Sequence, residues 1–208
     1  MALYSVTFIN RQDVLLDAMM STLEKKELLK AWLATSLAFG IVIYNSDNSF
    51  LFSVAVAACT VGLGFLLHEL AHRALARKLG KHAEFRANNS MLILAILMSF
   101  FGVIIAAPGA VLISGFGNRK QIGMTASAGP LTNLVLAILF LPLMFVIPKI
   151  AFYGFMINAW MGLFNLIPMP GFDGQKIIEW SKPAYFAMAA LALILNLLNI
   201  ILPNFISI

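Results

Sequence analysis

The residues best able to do chemistry lie in one short run, Gly64 to Gly80, "GFLLHELAHRALARKLG". Residues four apart share one face of an α-helix, so His68 and His72 of "HELAH" point the same way, with Glu69 one position round from the first. At this spacing two imidazoles can hold one zinc ion while the neighbouring carboxylate takes a proton from water. The bland alternative is a pair of core histidines satisfied by a glutamate partner. It carries little weight here, because the run ends an apolar stretch and ionisable groups at membrane depth are costly and mark functional sites.

A catalytic zinc needs a third protein ligand and an open position for water. Few side chains qualify. Asp13, Asp17, Glu24 and Glu27 belong to an N-terminal leader, Asp47 to a loop at the opposite membrane face, and His82 and Glu84 to a basic stretch expected to be exposed. Asp173 stands apart in "FNLIPMPGFDGQKI", where Pro168, Pro170, Gly171 and Gly174 must unwind a helix that began near Ile150. Unwound backbone inside a membrane surrounds polar sites. An Asp-Gly turn just outside the bilayer is the competing reading of this stretch.

Composition says what must carry these residues. Of 208 residues 61% are hydrophobic and 11% charged, a charged fraction well below the roughly 25% of soluble domains. The expectation is an all-α polytopic membrane protein, a bundle of roughly five or six spans of about 20 residues. Residues 1–27 form an amphipathic or surface leader, helical from Asn10 to Glu27 with Asn10 as cap, and residues 28–208 form one transmembrane domain. Spans are expected at Leu28 to Tyr44, Phe50 to Leu79, Met124 to Val146, Ile150 to Ile167 and Pro183 to Leu202, with a turn cluster at Asn45 to Ser49.

The net charge of +5 excludes little by itself, but Lys and Arg beside membrane spans account for it, and no soluble basic face offers itself to nucleic acid. Cys59 has no second cysteine, which excludes a disulfide framework and a thiolate metal site. The N-terminal run lacks the pattern of a cleaved signal peptide, so insertion is expected to rest on the spans.

The segment Met91 to Ile113 is long enough to cross but is interrupted by Gly102, Pro108 and Gly109. Basic residues before the first span (Arg11, Lys25, Lys26, Lys30) and after the second (Arg73 to Arg86) put the N-terminus and both flanks on the cytoplasmic side. Re-entry keeps Arg119 and Lys120 on that side too. It also makes the helix from Ile150 run inward, so that its break after Asn165 reaches the depth of His68 and His72. A full crossing leaves Asp173 near the wrong face, so a re-entrant segment is expected.

With "HELAH" on a membrane helix, "AGPLTN" at Ala128 to Asn133 and "NLIPMPGFDG" at Asn165 to Gly174, the chain resembles the site-2 protease family of intramembrane zinc metalloproteases over a core of residues 50–180. The resemblance implies His68, His72 and Asp173 as ligands of one zinc per chain, and Glu69 as catalytic base. It further implies that Asn165 binds the substrate carbonyl or the developing oxyanion. The partners implied are the lipid bilayer and transmembrane protein substrates. Two departures are Phe172 where the family usually has leucine before its Asp-Gly, and the absence of PDZ and CBS modules. "AGPLTN" alone reads equally well as helix packing, since Gly123, Ser127, Ala128 and Gly129 permit close approach. A transporter or channel for metal ions or protons, using the same His, Glu and Asp groups, is the rival from another class. It lacks an internal repeat or a second polar site along a path. An inactive relative that binds membrane segments without cutting them is disfavoured by the intact Glu69 and histidine pair.

Overall fold

Ser21 opens the first helix, α1 (Thr22–Ile43), its side chain accepting from the Glu24 amide at 3.0 Å. In the computed structural model, which describes residues 20–44, 49–104, 108–115 and 118–202, this helix runs unbroken through the expected border at residues 27 and 28. No breaker interrupts "EKKELLK", so leader and first span are continuous there. Asn10, Asp13, Asp17 and Asp47, with most of the turn cluster at residues 45–49, lie outside the described residues.

Ser49 caps the long helix α2 (Phe50–Lys78). One π-helical turn, Ala58–Gly62, lies within it, and the Trp32 indole donates to the Ala58 carbonyl there at 3.2 Å. Cys59 is exposed on this turn. The chain then forms β1 (His82–Ala87), α3 (Asn89–Ser99) and β2 (Gly109–Ser114), with β2 antiparallel to β1 from His82 opposite Ser114 to Ala87 opposite Gly109. The small sheet corrects the all-α expectation.

It also resolves how Met91 to Ile113 is built. Eleven helical residues are about 16 Å long, half of the roughly 30 Å a span must cover. The Asn88 amide donates to the Pro108 carbonyl at 3.0 Å, so the chain leaves and returns to one point. The basic stretch expected to be exposed is a strand that leaves His82 exposed and Glu84 half-buried but buries Ala83 and Phe85 fully. Its outer edge is taken up by side chains. Glu24 accepts from the Phe85 amide at 3.0 Å, Glu27 from the Ala87 amide at 3.2 Å, and Arg77 donates to the Ala83 carbonyl at 3.0 Å.

Four helices complete the fold: α4 (Arg119–Leu143), α5 (Pro148–Asn165), α6 (Asp173–Trp180) and α7 (Lys182–Ile201). Among the described residues, α2, α4 and α7 are long and apolar enough to cross a membrane. The expected spans in α1 and α5 do form helices, of 22 and 18 residues, but charges at Glu24 to Lys30 and polar groups such as Lys149 and Asn158 keep them below that standard.

Large apolar side chains such as Leu51, Phe101 and Phe145 are exposed while Asn133 and Asn158 are fully buried, the reverse of a soluble domain. This distribution fits the membrane association that the apolar helices suggest, and in lipid close packing at small residues is what holds helices together. Gly123 of α4 lies against Trp180 of α6, and Gly162 of α5 against Leu134 of α4. One core gathers Leu134, Phe155 and Ile177 from α4, α5 and α6; the other joins Leu28, Phe65, Phe85 and Leu92 across α1, α2, β1 and α3.

Candidate metal centre

Helix α2 delivers His68 and His72 on one face, both buried, with ring centroids 4.7 Å apart. Asp173 arrives from the first residue of α6. The chain between α5 and α6 is unwound, with Gly171 at φ +95°, a conformation side chains disfavour. Gly174 brings α6 so close to the Leu166 carbonyl that a Cβ there would collide with it. Phe172 packs edge-on against Phe164 at 5.0 Å, so its larger ring is absorbed by packing.

The Nε2 atoms of His68 and His72 are 3.0 Å apart, and the Asp173 Oδ2 lies 3.5 Å from the first and 3.1 Å from the second. Among the described residues these three form a group able to hold a metal ion, their ligand atoms all within 4.8 Å of one another. The other Asp173 oxygen faces the half-exposed Lys176 ammonium at 3.6 Å.

The far side of each ring sets its tautomer. His72 Nδ1 lies 2.7 Å from the Thr125 carbonyl, which only accepts, so Nδ1 carries the proton and Nε2 keeps a lone pair. His68 Nδ1 faces the Asn133 Oδ1 in the same way. Three acceptors therefore converge with no donor among them. A single proton can bridge only one pair, whereas a divalent cation meets all three.

A protein of Methanocaldococcus jannaschii named as a putative zinc metalloprotease is 39% identical over 160 residues, which cover 73% of this chain and 83% of that one. This chain belongs to that zinc metalloprotease family. A Bacillus subtilis protein, also named as a putative zinc metalloprotease, is 29% identical over 152 residues, covering 58% of this chain and 66% of the relative. No family profile and no solved structure matches the chain.

For a zinc metalloprotease the donor set fits: two neutral imidazole nitrogens and one carboxylate oxygen, each histidine anchored through its second nitrogen. Glu69 is buried beside them, its carboxylate neighbouring His68, Asp173 and the backbone of Val111 on β2. Asn165 sits at the end of α5, where its amide donates to the Met161 carbonyl at 3.0 Å; it touches none of the three clustered side chains by hydrogen bond. Glu24 and Glu27 serve the junction with β1. Glu84 hydrogen-bonds Ser21 and Arg86, which hold its carboxyl below the ordinary value despite partial burial. His82 lies exposed on β1.

The "AGPLTN" stretch does more than permit packing. Gly129 of α4 faces both histidines, and a Cβ there would collide with both Nε2 atoms. Asn133, four residues on and on the same face, orients His68. The signal that would have found it is an asparagine within an apolar helical run, where an amide needs partners.

Proposed function

We propose that this chain is an intramembrane protease of the site-2 type, hydrolysing peptide bonds within or next to transmembrane segments of membrane-protein substrates. The observation that carries this reading is the convergence of His68, His72 and Asp173 at the buried meeting of the apolar helices α2 and α4 with α6. In this reading one zinc per chain is held by those three side chains, in a bundle of five or six spans that counts α1 and α5. The Arg and Lys residues that precede the first span and follow the second support an N-terminus and an active site toward the cytoplasm.

When bound, zinc polarises the scissile carbonyl and makes water a stronger acid at neutral pH. Glu69 accepts the proton of the attacking water at a carboxylate oxygen and passes it to the amide nitrogen as the C–N bond breaks. Asn165 has two amide N–H groups, of which Met161 uses one, and the other donates to the substrate carbonyl oxygen as charge builds on it. A helical substrate hides its carbonyls, so it must unwind locally, and helix-weakening residues near the cut site favour cleavage. Among the described residues the outer edge of β1 is filled by Glu24, Glu27 and Arg77 and no strand pairs with the outer edge of β2, which leaves that edge for an extended substrate stretch. Val111 on that strand adjoins Glu69, so a paired substrate lies beside the base.

The test is purification of the protein and its Glu69→Gln variant, with zinc content measured and cleavage of a synthetic membrane-span substrate assayed. Both should bind zinc, and only the unmodified protein should cut. Metal flux into liposomes without cleavage would replace this reading with a transport one.

A further inference from the structure

Asn158 is fully buried in the middle of α5 and belongs to none of the sequence motifs. An amide at that depth is costly unless each of its polar atoms is used. Its Nδ2 donates to the Gly154 carbonyl at 2.8 Å, and its Oδ1 accepts from the Asn133 Nδ2 at 3.0 Å. The same Asn133 nitrogen donates its second hydrogen to the Gly64 carbonyl at 3.2 Å. A Cβ at Gly64 would collide with the Asn158 Oδ1, so α2 is open at this point to admit the asparagine.

The polarity of this relay cannot be reversed. A side-chain amide can rotate to exchange its oxygen and nitrogen, but Gly154 and Gly64 present backbone carbonyls, which only accept. Asn158 must therefore point its oxygen at Asn133. Asn133, facing two acceptors, must point its nitrogen at them and its oxygen at His68. His68 must then carry its proton on Nδ1, which leaves the Nε2 lone pair facing His72 and Asp173. His72 needs no such relay, because a backbone carbonyl, that of Thr125, fixes it directly.

We propose that Asn158 is a positioning residue that selects the metal-binding tautomer of His68 through Asn133. This rests on the metal reading of the centre. Without Asn158, Asn133 keeps one acceptor instead of two, and the flipped amide, which would draw the His68 proton to Nε2, becomes accessible. Partners one step removed from a metal ligand typically account for about 10- to 100-fold in affinity. A partner two steps removed should lie at the lower end.

The experiment uses the full chain in detergent and three variants: Asn158→Leu, which keeps the branched shape and removes the acceptor, Asn133→Ala, and the two combined. Zinc affinity is measured by chelator competition on folded protein, and the tautomer of His68 by nitrogen NMR of histidine-labelled, zinc-free protein. Asn158→Leu should weaken zinc about tenfold and raise the population protonated at Nε2. The double variant should be no worse than Asn133→Ala alone, since both act through one relay. Additive losses, or a lowered melting temperature with unchanged affinity and tautomer, would overturn the proposal and leave Asn158 a packing residue. If the unmodified chain binds no zinc, the metal reading fails, and the His68 tautomer in Asn158→Leu still decides whether the relay exists.

Discussion

Two buried polar clusters flank α2, and they are built on opposite terms. On one side Arg73 donates to Glu24 through Nε at 2.6 Å and Nη2 at 3.1 Å, and the same carboxylate accepts from the Phe85 amide. Charge is balanced and the acceptor oxygens are filled, so the junction asks for nothing further. On the other side, one residue away, His72 joins His68 and Asp173 in a cluster of acceptors turned toward one another. Burial is comparable in the two. What separates scaffold from site is whether the cluster satisfies itself or leaves lone pairs aimed at a common point.

The contrast is broken most severely at the metal centre. His68→Ala or Asp173→Ala should abolish stoichiometric zinc and reduce cleavage to background, while Glu69→Gln should keep zinc and lose about 10²- to 10⁴-fold in rate; metal analysis and peptide-cleavage assays check both. Next in size is the scaffold. Glu24→Ala strands the Arg73 guanidinium in the interior and should cost about 3–5 kcal/mol in thermal or denaturant unfolding, and the double change Glu24→Leu with Arg73→Met should recover most of it. If Glu24→Ala instead removed zinc without loss of stability, the junction would belong to the site.

Gly129→Ala sharpens the comparison from the packing side. Its methyl would press on both Nε2 atoms, so zinc affinity should fall while overpacking costs about 1–3 kcal/mol, read by chelator competition and melting temperature together.

The smallest effect belongs to Glu84, at the exposed margin of the scaffold. The Ser21 hydroxyl and the Arg86 guanidinium lower its carboxyl from the ordinary value of 4.5. A lowered folded-state pKa contributes stability above the unfolded value, and that contribution is lost as pH falls through the folded one. Glu84→Gln should therefore cost less than about 1 kcal/mol at neutral pH, and the difference should vanish in a melting series carried well into acid.

Parts of this molecule were open to reading along the chain. The helix period alone puts His68, Glu69 and His72 together, and the Pro and Gly run before Asp173 announces the break that frees it from α5. Other parts were hidden for physical reasons. The strand at His82 to Ala87 looks like a basic loop because what stabilises it is remote: two carboxylates from α1 and the partner strand after Pro108. Asn158 looks like an isolated polar residue because its partners lie 25 residues back at Asn133 and four back at Gly154.

By itself the sequence determined what is local: which residues share a helix face, where helices start and break, and that an apolar chain carries ionisable groups. The tertiary structure alone decided which acceptors meet and which nitrogen of each histidine is left free. Those outcomes depend on hydrogen bonds between helices far apart in the chain, and no period or motif encodes the direction of an amide.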